Sequence, residues 1–123
     1  MAELSQILTW TFIQETTVPN EIQEILIPGE QAIVAYKTIR DHAVITDKRI
    51  IISDAQGLTG KKIEIYTIPF SSINMYSTEN SGKFLDFNSE LELWTRAGHL
   101  KINLKKGIDI RKLDRIIAQN ILK

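Results

Sequence analysis

Residues 90–105 read ELELWTRAGHLKINLK, and residues 107–123 continue as GIDIRKLDRIIAQNILK. The first run alternates with the period of a strand, and the second repeats with the period of a helix. Taking Ala97-Gly98 as a turn, Leu91, Leu93 and Thr95 face Leu104, Ile102 and Leu100 on one side of a hairpin. The other side sets Glu90 against Lys105 and Trp94 beside Lys101, cross-strand pairs worth about 0.2–1 kcal/mol each. A one-residue slip would turn the leucines to water. Beyond Gly107, Asp109 is suited to cap a helix N-terminus. Ile110, Leu113, Ile116, Ile117 and Ile121 then form one apolar stripe, with Arg111, Lys112, Asp114, Arg115 and Gln119 opposite. A buried Leu or Ile contributes about 1.5–3 kcal/mol gross, so the stripe must dock. The expected seat is the open mouth of a curled sheet.

Working back toward the N-terminus, strand signals fill the region from Glu30 to Lys105. Ala32 to Ile39 is rich in β-branched and aromatic residues. Val44 to Thr46 and Arg49 to Ser53 flank Asp47-Lys48, which pairs Ile45 with Ile50 and Val44 with Ile51 in a tight hairpin. Ala55 to Gly60 reads as a loop. Lys62 to Ile68 alternates, with Ile63 and Ile65 on one face and Glu64 and Tyr66 on the other, and Pro69 stops it. Ile73 to Thr78 is a further strand before the turn at Asn80-Ser81-Gly82. Short hairpin spacings predict an antiparallel sheet, because parallel pairs need long crossovers.

Residues 1–19 form a leader. Leu4, Ile7, Leu8 and Phe12 recur at helical spacing, whereas Leu8, Trp10 and Phe12 alternate with Thr9 and Thr11 as a strand would. The helical reading is preferred. Asn20 and Gln23 can form a capping box that opens a short helix carrying Ile22, Ile25 and Leu26, which Pro28-Gly29 ends.

Length and composition set limits on function. The 123 residues suit one domain. Lys+Arg and Asp+Glu are both 15, so the basic excess of a nucleic-acid binder is missing. There is no cysteine, which removes disulfides, thiolate metal sites and a Cys nucleophile, and suits a reducing cytoplasm. Residues 1–14 lack the positive start of a signal peptide, and no run approaches the ~18 apolar residues of a membrane span. A soluble cytoplasmic chain is expected.

About seven short antiparallel strands followed by one helix is the element order of pleckstrin-homology (PH) domains. The chain resembles the bacterial PH family more specifically. The resemblance rests on Ile39-Arg40-Asp41, Thr46 to Ile51, Gln56 to Lys62, Ile68-Pro69-Phe70 with Ser72-Ile73, Glu90 to Trp94, and Lys105 to Ile110. It runs from about Asn20 to Leu122. It implies a mainly β fold, a partly open antiparallel β-barrel of about seven strands capped by the C-terminal α-helix, over residues 20–123. It also implies closed homo-oligomeric rings, no catalytic activity and no cofactor.

Candidate sites are weighed against plainer readings. Gly57-Leu58-Thr59-Gly60-Lys61 lacks the spacing and the following helix of a phosphate loop, so Gly57 and Gly60 read as hairpin-loop residues. Arg40, Lys48, Arg49, Lys61 and Lys62, with Lys37, could hold an anion or a lipid headgroup at a membrane surface. Exposed lysines at hairpin ends more often protect edges. Asp41-His42 and His99 lie near turns without a nucleophile or a second ligand nearby in sequence. Asp86, Glu90 and Glu92 read as partners of Lys101 and Lys105 rather than as metal ligands. Arg40-Asp41 reads as an ion pair within or between subunits. Trp94 falls on the charged side of its strand. With Trp10 and Phe12 it forms a candidate interface, unless the leader covers it within one chain. The expected function is a non-enzymatic binding or assembly module that self-associates and mediates protein interaction. The alternative is an anion-binding or lipid-headgroup domain. No metal and no nucleic-acid partner are expected.

Overall fold

A computed structural model describes residues 7–56, 61–80 and 88–123. The elements in chain order are β1 (Ile7–Thr16), α1 (Asn20–Gln23), β2 (Ala32–Thr38), β3 (Asp41–Thr46), β4 (Arg49–Gln56) and β5 (Lys62–Pro69). A 3₁₀ turn (Phe70–Ser72), β6 (Ile73–Glu79), β7 (Ser89–Thr95), β8 (His99–Leu104) and α2 (Ile110–Ile121) follow. The strands form one curled sheet in the order β5-β4-β3-β2-β1-β8-β7-β6. The mainly β architecture with its C-terminal helix is as expected. Leu4, the loop residues Gly57 and Gly60, the turn residues Ser81 and Gly82, and Asp86 lie outside the described residues.

Among the described residues the leader is not helical. Residues 7–16 are a strand at the centre of the sheet, an eighth beyond the seven read from the sequence. Its alternation Trp10, Phe12 against Thr9, Thr11 prevails over the 3.6 spacing because two partners wait for its backbone. Ile7 to Phe12 pair in parallel with His99 to Leu104. Phe12 to Thr16 pair antiparallel with β2, across a bulge between Phe12 and Gln14. The sheet is therefore not wholly antiparallel. The β1–β8 crossover spans most of the chain, so local spacing carries no trace of it.

The β3–β4 hairpin has the register read from the sequence, with Ile45 opposite Ile50 and Val44 opposite Ile51. The last hairpin is displaced by two residues. Leu91 faces Ile102, Leu93 faces Leu100 and Trp94 faces His99. The turn is Arg96-Ala97, closed by Thr95 and Gly98, which exchange backbone hydrogen bonds of 2.9 and 3.3 Å. The Thr95 hydroxyl also accepts from the N–H groups of Ala97 and Gly98, both at 3.1 Å. Those bonds favour the turn one residue earlier than expected. Moving a turn by one residue moves the pairing by two, so every side chain keeps its face. Leu91, Leu93, Ile102 and Leu104 remain fully buried.

The inner face of the sheet and the α2 stripe make the main core. Phe12 stacks on Tyr36 (centroids 5.0 Å apart), and Trp10 meets Tyr66 edge-on at 5.2 Å. Leu113 and Ile117 are fully buried there, with Ile116 close behind. Asp109 caps α2, accepting from the N–H groups of Arg111 (3.0 Å) and Lys112 (3.1 Å). Asp114 on the same helix accepts hydroxyl bonds from Tyr76 and Thr78 of β6. A second apolar cluster lies on the other face, where Ile22 of α1 covers Ala35, Val44 and Ile51. The expected capping box is absent. Pro19 occupies the N-cap position without a side-chain bond, and Gln23 donates to the Val18 carbonyl instead. A proline with extended backbone already fits that position, and its carbonyl accepts from Ile22 and Gln23.

Candidate functional site

The five candidate cations do not converge. Arg49 begins β4, where its guanidinium reaches back across the β3–β4 turn. Its Nε lies 2.9 Å from Glu30 Oε2, and its terminal nitrogens donate to the Ile25 carbonyl, Glu30 Oε1 and Thr67. Glu30 is buried and also accepts from the Thr46 hydroxyl and the Ile27 N–H. Burial by itself would raise its carboxyl. The bonds from Arg49, Thr46 and Ile27 and the charge of Arg49 outweigh that and pull it from 4.5 to about 2. Arg49 is thus a clasp that ties the segment after α1 to the β3–β4 hairpin.

Arg40 is similarly engaged. Its Nε lies 2.7 Å from Asp54 Oδ1, and the guanidinium donates to the Ala55 carbonyl. The ion pair expected between Arg40 and Asp41 is not made. Asp41 instead holds His42 Nδ1 at 2.8 Å and accepts from the Ser53 hydroxyl at 2.8 Å. Lys48, Lys61 and Lys62 are exposed. Lys48 sits at the Arg49 end of β4, whereas Lys62 pairs with Gln56 at the other end. Seven strand residues separate those ends by roughly 23 Å. One small anion cannot touch both groups.

Asp41, His42 and Ser53 have the composition of a hydrolytic triad but not its order. The carboxylate stands between the hydroxyl and the ring, so the Ser53 proton points to Asp41 and not to an imidazole base. Among the described residues no group of three His, Asp or Glu side chains is placed to hold a metal ion. No described helix is long and apolar enough to cross a membrane.

The three aromatic candidates separate. Phe12 is fully buried and Trp10 nearly so, both on the inner face. Trp10 and Phe12 therefore do not lie over Trp94 on the outer face, and these two residues are not exposed to a partner. Trp94 is half-buried on the outer face and stacks on His99, with centroids 4.8 Å apart and planes 12° from parallel. His99 Nε2 lies 2.7 Å from Glu92 Oε2, and Lys101 Nζ lies 3.2 Å from Glu90 Oε2. The register shift explains these partners. Glu90 meets Lys101 rather than Lys105, and Trp94 meets His99 rather than Lys101.

Beside Trp94 on that face is Met75 of the edge strand β6, which is 56% exposed. At the other edge, β5 pairs Tyr66 with Ile52 and Ile68 with Ile50. That turns Tyr66 and Ile68 inward and leaves Ile63 and Ile65 outward, 48% and 41% exposed. Both ends of the sheet thus present, among the described residues, an unpaired edge flanked by apolar side chains. The residue pattern identified the shared face of Ile63 and Ile65. Only the pairing with β4 shows that this face looks outward.

The family model described as bacterial PH domain matches residues 2–121. Over 109 residues the chain is 38% identical to the uncharacterized protein YjqA of Bacillus subtilis, covering 86% of each chain. A crystal structure of a DUF1696 family protein with a pleckstrin-homology domain from Shewanella loihica superposes with a TM-score of 0.78 at 36% identity. It covers 88% of this chain and 96% of that one. A pleckstrin homology domain from Shewanella amazonensis gives 0.67 at 38% identity, with 85% of each chain covered. With the curled sheet and its docked C-terminal helix, these matches place the chain in the bacterial PH domain family.

Proposed function

We propose that the chain is a non-enzymatic cytoplasmic assembly module that joins copies of itself by pairing sheet edges and presents the resulting surface to protein partners. The observation that carries this reading is the pair of edges, unpartnered among the described residues, at opposite ends of one sheet. β5 is flanked by Ile63 and Ile65, and β6 by Met75 and Trp94. An exposed strand edge is a template for another chain, and natural proteins normally blunt it with charge or cover. Joining β5 of one copy to β6 of the next is a heterologous contact, which gives a ring if the rotation closes. Such a contact would bring the two apolar patches side by side on one continuous face.

The non-enzymatic part rests on the engagement of each candidate reactive group. Ser53 is bonded to a carboxylate, and both histidines are held by acidic neighbours at 2.7–2.8 Å. The anion-binding alternative has less support, since Arg40 and Arg49 are held by Asp54 and Glu30.

Sedimentation velocity with light scattering tests the proposal across micromolar concentrations. A single closed oligomer is expected. The paired change Ile63→Glu with Ile65→Glu, and separately Trp94→Ala, should yield a monomer with unchanged circular dichroism. A wild-type chain that stays monomeric throughout overturns self-assembly.

A further inference from the structure

A cavity of about 360 Å³ lies between β5, the β7–β8 turn and the start of β1. That volume is within the range of small-molecule sites. Its walls include Leu8, Trp10, Tyr66, Ile68 and Leu100. Apolar walls of this kind hold water poorly and accept apolar guests. Arg96 is the one charged residue in the lining, and no Asp or Glu shares it. It sits in the exposed turn, and its guanidinium has no carboxylate partner among the described residues. This sets it apart from Arg40 and Arg49. Three hydroxyls of the lining are already committed as donors, Ser72 to the Pro69 carbonyl at 2.7 Å, Thr95 to the Gly98 carbonyl at 2.9 Å and Tyr66 to Glu64 at 3.1 Å. Trp10 Nε1 is directed to Asp54 rather than into the cavity.

We infer that this cavity binds a small amphipathic carboxylate, with its apolar chain against Trp10 and Tyr66 and its carboxylate on Arg96. One unpaired guanidinium at an apolar cavity matches one monoanion on an apolar body. The planar fork of arginine fits a carboxylate with two parallel hydrogen bonds. Tyr66 and Ile68 line the cavity from the inner face of the edge strand β5, whereas Ile63 and Ile65 lie on its outer face, so the inference does not rest on self-association.

The chain holds two tryptophans, so Trp94→Phe leaves Trp10 as the sole indole reporter. In that background decanoate is titrated below its micelle concentration, with decanol and decyltrimethylammonium as controls. A saturable change in Trp10 emission and a rise in Tm are expected with decanoate. Arg96→Gln should weaken decanoate about tenfold, the size of one lost charge-assisted bond, and leave decanol unaffected. Ala97→Phe, at an exposed lining position, should crowd the cavity and weaken both. No saturable response to decanoate overturns the inference. Equal binding of decanoate and decanol in both proteins would reduce the cavity to an apolar hole, and overturns it too. Tighter binding of a short peptide with an apolar C-terminus would make the occupant a partner's tail. An apparent decanoate affinity that falls as protein concentration rises would make it a second copy. Either of those results also sinks the proposal.

Discussion

Glu30 shows how much one buried carboxylate can decide. Its carboxyl is held near 2 in the folded chain against 4.5 as its ordinary value. A depressed folded value contributes stability that is present above about pH 4.5 and lost as pH falls toward 2. Urea midpoints measured from pH 7 downward should therefore drop through that window, and Glu30→Gln should flatten the drop. At neutral pH the same change should cost about 2 kcal/mol, because it leaves Arg49 partly buried without its counter-charge. Tyr36 is the opposite case. Its hydroxyl is buried with no partner among the described residues, and burial, then the charges of Glu15 and Asp109, push its pKa upward. Tyr36→Phe should keep the stack on Phe12 and stabilise by up to about 1 kcal/mol, readable as a higher urea midpoint. A loss of stability would show that the hydroxyl is satisfied. Neither role was legible in sequence. Arg49 reads as a surface cation until the fold brings Glu30 and the Ile25 carbonyl to it, and Trp10 reads as an interface residue until β8 and Tyr66 enclose it.

Among the elements, α2 was the most legible. Its stripe and its cap are local features, and both are formed as read. Leu113→Ala should cost about 2–5 kcal/mol, since the side chain is wholly buried in the core. Asp109→Ala should cost about 1 kcal/mol for the two lost cap bonds. Chemical denaturation separates the two by magnitude, and similar losses would mean that the stripe is not seated as described. The β3–β4 hairpin was equally legible, because a two-residue turn fixes its register. The β7–β8 hairpin was legible in its faces but not in its pairing. Alternation reports the face at every residue, while register depends on which residues make the turn, and the hydroxyl of Thr95 decides that. β1 escapes a reading by periodicity because a ten-residue segment carries both periods and its parallel partner lies far along the chain. The cavity beside Arg96 was invisible for the same reason, as three separate stretches of chain build it.

For the molecule as a whole, β1 joins two halves. β2 to β5 lie on one side of it and β8 to β6 on the other. Thr11 sits in the part paired with β8, so Thr11→Pro removes a backbone donor from the middle of the sheet. The variant should lose stability in a single transition detected alike by circular dichroism and tryptophan emission. Two separate transitions would show that the halves are stable apart. The arrangement also has a consequence for vectorial synthesis. The later residues of β1 can zip onto β2 as soon as that strand leaves the ribosome, but Ile7 to Thr11 must wait until β8 has been made. Until then Trp10 is without its seat, and a nascent chain stalled before β8 carries a greasy, half-docked strand for chaperones to find.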